Sequence, residues 1–159
     1  MIAEQKWPDC TGDQGNVMDH IAILRKDWKL LPKILSGKKK IESRWYMARY
    51  PPWGRIQAGD IVYFKDSGDL VRIKAEVEKV LSFANYTEKE LKEILDKYGK
   101  DVDFVSPIDE VYNWAKERKY CILIFLKNPK EITPFEINKA GFGNACAWMC
   151  VRDIEKVKV

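Results

Sequence analysis

Histidine is nearly absent: among 159 residues there is only His20. One imidazole leaves no histidine cluster to hold a metal, and no serine or cysteine has an identifiable histidine partner for nucleophilic catalysis. Cysteine is scarce too. Cys10, Cys121, Cys146 and Cys150 do not form a disulfide framework in a chain of this length without a secretory signal. Cys146 and Cys150 make a C-x-x-x-C pair with no second pair after it, so buried structural thiols are expected and no metal or cofactor is. No apolar run approaches the roughly 20 residues that span a bilayer. The longest, Tyr120 to Leu126, has the length of one buried strand. The opening stretch MIAEQKWPDC lacks an apolar signal core, which predicts a cytoplasmic protein without membrane attachment. Repeats, low-complexity tracts and Pro/Ser-rich linkers are all missing, which predicts one domain over residues 18–159 behind an irregular lead-in, 1–17. Gly141 and Gly143 stand outside any strand-to-helix G-x-G-x-x-G context, which argues against a dinucleotide fingerprint. Nothing in the chain signals a particular oligomeric state.

What is present suits a globular protein. Hydrophobic residues make up 46% and charged residues 33% of the chain, enough for a sizeable core. The net charge of +4 is unevenly spread. Between Arg25 and Arg55 ten Lys or Arg meet only Asp27 and Glu42, a local balance of +8 that leaves −4 on the remainder. Such a segment suits a polyanionic partner such as RNA or a nucleotide, or else forms a solvated basic face.

Apolar periodicity places the elements. His20 to Leu24 reads as a short strand. Trp28, Leu31 and Leu35 are spaced as one helical face over Trp28 to Ser36, with Pro32 near the first turn and Gly37 as the C-terminal stop. Lys39 to Tyr46 reads as a strand, followed by a loop around Tyr50 to Gly54. Ile61 to Lys65 and Leu70 to Val80 form a hairpin about Asp66-Ser67-Gly68-Asp69, the second arm alternating apolar with charged residues. Glu76 and Glu78 fall on its wet face. Thr87 with Glu90 makes a capping box for a helix along Leu91, Ile94, Leu95 and Tyr98, ended by Gly99. Ser106-Pro107 starts a second helix to about Arg118, with Ile108, Val111, Tyr112 and Ala115 on one face. Tyr120 to Leu126 reads as a central strand, and segments near Ile132 to Ile137 and Cys146 to Val151 complete the set. This order predicts an α+β fold, a small β-barrel or strongly bent sheet with helices packed against it.

The chemistry concentrates in Ser36 to Arg44, SGKKKIESR, where Gly37, Lys39, Glu42 and Arg44 stand as G-x-K-x-x-E-x-R. Arg44 offers a planar fork for phosphate or paired carbonyls, and Lys39 a compact charge. Glu42 shares a strand face with Arg44 and can pair with it, or accept from an amino group of a base. A Lys39–Glu42 pair in a cleft can also support proton transfer. Trp45, Tyr46, Arg49, Tyr50, Trp53 and Arg55 follow, interleaving stacking surfaces with charge as single-stranded nucleic acid requires. At least one of Trp45 and Trp53 is expected to be buried, with Arg49 and Arg55 near the ligand surface. Lys65 can extend the basic cleft, and Lys139, Asn144 and Trp148 are candidates for its lining. His20 is expected to be structural.

With these residues the chain resembles the ASCH domain family, which has a PUA-like β-barrel fold. The resemblance rests on Gly37, Lys39, Glu42 and Arg44 directly after a short helix, on IQAGDIVYFKDSG as the family's glycine–aspartate strand and hairpin, and on the closing KAGFGNACAWMCV. It covers His20 to Val159, with residues 87–118 as a helical insertion. It implies a PUA-like small mixed β-barrel with peripheral helices and a cleft that binds RNA or a nucleotide-like ligand. The expected ligand-binding set is Gly37, Lys39, Glu42, Arg44, Trp45, Arg49, Trp53 and Lys65. Some members hydrolyse acylated cytidine, and ribonuclease activity has been proposed for others. In the hydrolase branch a lysine matching Lys39 acts with a threonine matching Glu42 and with a later glutamate, in the region of Glu88, Glu90 and Glu93. Lys39 and Glu42 would be the catalytic residues if this chain were an amidohydrolase or ribonuclease. Glutamate in place of the threonine favours binding over hydrolysis.

Overall fold

The computed structural model describes residues 17–143 and 146–159. The expected lead-in therefore lies almost wholly outside the described residues, as do Cys10 and Asn144. Six strands form one mixed sheet: β1 Asp19–Leu24, β2 Ile41–Tyr46, β3 Ile61–Asp66, β4 Val71–Ala84, β5 Tyr120–Phe135 and β6 Trp148–Val151. Their spatial order is β2-β5-β4-β3-β1-β6, with β1 parallel to β3 and every other neighbouring pair antiparallel.

The two longest strands, β4 and β5, give the sheet its curl. Three register shifts interrupt their pairing, near Val71/Ile73, Lys74/Glu76 and Val77/Lys79. Each irregularity bends and twists the strand that carries it. The sheet coils far enough for Arg44 on the edge strand β2 to meet Ala147 and Trp148, at the opposite edge. It is a six-stranded half-barrel whose two edges approach across a seam.

Alternation along β5 divides the interior. Ile122 and Ile124 point into the barrel with Ala22, Phe64, Ile73, Ala75, Val77 and Trp148. Cys121 and Leu123 point outward to a second core with Ile41, Trp45, Leu91, Ile94, Leu95, Val111 and Ala115. A strand covered on both faces reads as a continuous apolar run, the YCILIFL of the sequence. A third cluster, Ile21, Val71, Ile137, Met149, Val151 and Ile154, packs near β6.

Among the described residues three α-helices complete the fold: α1 Leu30–Leu35, α2 Glu88–Val102 and α3 Ile108–Ala115. The capping box forms as the sequence indicates, with Glu90 N–H donating to Thr87 Oγ1 at 3.1 Å and Thr87 N–H to Glu90 Oε1 at 3.2 Å. Gly99 does not end α2, which runs on to Val102 and stops at Asp103 in the left-handed region, φ +56°. Trp28 does not share a helical face with Leu31 and Leu35. It belongs to a separate 3-10 turn, Lys26–Trp28, divided from α1 by Lys29 at φ +53°, so Leu30, Leu31 and Ile34 carry the burial. Ile108 is exposed, and α3 buries Val111 and Ala115. The strand expected near Ile132 to Ile137 is mainly the continuation of β5. Among the described residues no helix is long and apolar enough to cross a membrane.

Candidate functional site

Among the described residues strand β2 pairs on one side only, with β5. Gly37, at φ +81°, turns the chain out of α1 into the motif, a conformation glycine adopts without a Cβ penalty. Lys39 precedes the strand, while Glu42, Arg44 and Tyr46 share one face of it. Beside β2, against the end of α2 and α3, lies a pocket of about 350 Å³, at the small end of the roughly 300–1,000 Å³ common for ligand sites. Its walls include Trp28, Trp45, Phe104 and Trp114, and Lys39, Glu42, Asp103 and Glu110 supply its charge.

The wall is mostly aromatic. Trp45 is buried and meets Phe104 and Trp114 with ring centroids 6.5 and 6.3 Å away. Its indole Nε1–H donates to Ser43 Oγ at 3.0 Å, which satisfies its one polar group. Trp28 and Trp114 stay 40% and 44% exposed, so they form the rim. Each carries an arginine on its ring: Arg25 lies 4.8 Å from Trp28 and Arg118 4.0 Å from Trp114. Such a contact is worth about 0.5–1 kcal/mol at an exposed site and holds the ring in place.

The floor is polar, and its two ends are unequal. Lys39 is 5% exposed, and its Nζ donates to the Val102 carbonyl at 2.6 Å, tying the end of α2 to the motif. Burial lowers the Lys39 ammonium from its ordinary range; the nearby Glu42 carboxylate opposes that shift. Glu42, also 5% exposed, sits between two cations. Arg44 Nε is 3.3 Å from Oε1, off the line of a directed hydrogen bond, and Lys39 Nζ is 3.9 Å from Oε2. Oε2 is fully buried and has no hydrogen-bond partner among the described residues. Asp103 Oδ2 is likewise buried without one, 3.4 Å from Lys33 Nζ.

Arg44 looks the other way. Its Nη1 reaches the Ala147 carbonyl at 3.5 Å, and its guanidinium covers the Trp148 ring at 5.1 Å. Trp148 Nε1–H donates to His20 Nδ1 at 3.1 Å, and His20 Nε2 lies 2.8 Å from Asp60 Oδ2. Because an indole only donates, Nδ1 accepts and the imidazole proton sits on Nε2, directed at Asp60. Asp60 also accepts from the backbone N–H groups of Met18 and Gln57, each at 3.0 Å. This chain closes the seam between the sheet edges.

The expected site residues thus divide. Lys39, Glu42 and Trp45 line the pocket, and Arg44 backs Glu42. Arg49 and Trp53 gather around Tyr120, at the Tyr46 end of β2, with Trp53 packed against the barrel core. Lys65 and Lys139 line a separate open hollow of about 490 Å³ with Asp69 and Glu136. Gly37 shapes the chain and Trp148 is buried in the core; neither belongs to the pocket lining. Nor do Glu88, Glu90 and Glu93; the carboxylates brought to the pocket from this region are Asp103 and Glu110. Sequence reasoning missed Trp28, Asp103, Phe104, Glu110 and Trp114. The available signal was two tryptophans each three or four residues from an arginine, Arg25–Trp28 and Trp114–Arg118.

Structural comparison identifies the fold class. Three structures of an ASCH protein from Zymomonas mobilis, two of them mutant forms, superpose with a TM-score of 0.62. Their sequence identity is 17%, 18% and 20%, and each covers 87% of this chain. The matched region spans 90%, 93% and 91% of those chains. This chain has an ASCH-like, PUA-like α+β fold. No family model and no curated protein matches it.

Proposed function

We propose that the protein is a PUA-like module that binds RNA or a nucleotide through the pocket beside β2. The observation that carries this reading is the pocket's composition: tryptophan and phenylalanine walls around a buried carboxylate with an unused oxygen, one side of it built from the basic segment of the chain. Aromatic walls take the face of a base, whatever its identity. Arg25 and Arg118 stack on wall residues and Lys33 pairs with one, so three cations stand within reach of a bound backbone. The ASCH-like fold fits such a role.

Fluorescence polarisation with labelled single-stranded RNA across a salt series tests it. Three or four phosphate contacts predict a log–log slope of about −2 to −3. Trp114→Ala, at an exposed position, should weaken binding about tenfold or more without unfolding the protein. No saturable binding at low salt, or full affinity in Trp114→Ala, rejects the reading.

A hydrolase is the second reading, favoured by one observation: a buried lysine with a lowered pKa stands 3.9 Å from a carboxylate in the same pocket. It predicts turnover of an acylated nucleoside or labelled RNA that is lost in both Lys39→Ala and Glu42→Gln. No product from either substrate class rejects it for those substrates.

A further inference from the structure

The charges lining the pocket run against those of one of the two segments that frame it. Glu42, Asp103 and Glu110 outnumber Lys39 within it; residues 25–55 on one side are strongly basic, while residues 102–114 on the other carry acids and no Lys or Arg. Lys39 has its Nζ engaged with Val102, and Arg44 faces the seam. An anion inside would meet carboxylates and little free donor capacity. What the floor does offer is acceptors: among the described residues, Glu42 Oε2, on a side chain 6% exposed, and Asp103 Oδ2, ion-paired with Lys33 at 3.4 Å, both lack hydrogen bonds. A carboxylate oxygen accepts only, and a buried one without a partner carries a desolvation cost that a donating ligand relieves.

Resting on the nucleotide-binding reading above, we propose that the pocket holds one unstacked nucleobase by its hydrogen-bond-donating edge, selecting amino-bearing bases and rejecting uracil. Adenine, cytosine and guanine each present an exocyclic amino group to an acceptor. Uracil's only base-edge donor, N3–H, lies between two carbonyl oxygens that would face the same carboxylates. The phosphate remains outside, beside Arg25, Lys33 and Arg118. The volume of about 350 Å³ suits a single nucleoside, not a run of stacked bases.

The test titrates the full chain with adenosine, cytidine, guanosine and uridine, followed by calorimetry and tryptophan fluorescence, with inorganic phosphate as competitor. At least one amino-bearing nucleoside should bind about tenfold or more tighter than uridine, and phosphate should not displace it. Glu42→Gln places an amide that both donates and accepts at the floor, so the preference should shrink to about twofold. Trp114→Ala should weaken every nucleoside together and leave their ratio unchanged. Equal affinity for uridine, displacement by phosphate, or a preference unaltered by Glu42→Gln overturns the proposal. If single-stranded RNA binds without any such preference, the base selectivity falls and the nucleotide-binding reading stands. If neither RNA nor any nucleoside binds, both fall. Capture of a trimethyl-lysine peptide in place of nucleosides would reassign the aromatic walls to a protein partner and also overturn it.

Discussion

Among the described residues two carboxylates are buried, Glu42 at 5% and Asp60 at 0% exposure, and they have opposite relations to their surroundings. Asp60 accepts from His20 and from two backbone N–H groups, so its donors come from three points in the chain. Glu42 has two cations nearby but no directed hydrogen bond at Oε2. The first is spent on the fold. The second retains bonding capacity that the fold does not use, and it does so beside a pocket. Burial alone therefore does not mark a functional acid; unmet hydrogen-bonding capacity beside a cavity is the sharper criterion.

Asp60→Ala should give the largest effect. It leaves three buried or half-buried donors without an acceptor, for a loss of about 3 kcal/mol or more. Chemical denaturation would read this as a lowered midpoint, and a loss below about 1 kcal/mol would remove the contrast with Glu42. Arg44→Met keeps the side chain's bulk but discards the charge that spans the seam. It should cost about 2 kcal/mol, because Glu42 then loses a close counter-charge in a buried setting. Glu42→Gln should change stability by less than about 1 kcal/mol while altering ligand preference, the reverse of the Asp60 result. Lys65→Ala, in the open hollow, should leave RNA affinity within about twofold. A larger drop would move the ligand surface towards β3.

The pH response of stability offers a further check on the floor. The pKa of Lys39 is lowered in the folded state, so between that value and 10.5 the unfolded chain binds more protons. In that window the Lys39 contribution to stability rises with pH. Lys39→Met should remove this component from the difference between the two stability–pH curves.

Much of the fold was legible locally. The capping box, the hairpin at Asp66 to Asp69 and the apolar run of β5 are statements about neighbours in sequence, and each formed in place. The misreadings also have local causes. Lys29 and Asp103 adopt left-handed conformations without being glycine. The first divides Trp28 from the helix its spacing suggested, and the second ends α2 three residues beyond the turn containing Gly99. Apolar periodicity carries no signal of such a residue, since its cost of roughly 1–3 kcal/mol is offset by tertiary contacts.

The candidate site was legible by half. Lys39, Glu42 and Trp45 stand together in the sequence because they lie along one strand and its approach, so their shared lining follows from the local pattern. Trp28, Phe104 and Trp114 reach the same pocket from separate turns and a different helix, and only packing sets that distance. Composition and periodicity determined a curved, helix-buttressed sheet and a charged motif along a strand. The curl of β4 and β5 decided the rest. By bringing the two sheet edges together it committed Arg44 to the seam, while the end of α2 engaged Lys39 and left a carboxylate oxygen of Glu42 without a hydrogen bond among the described residues.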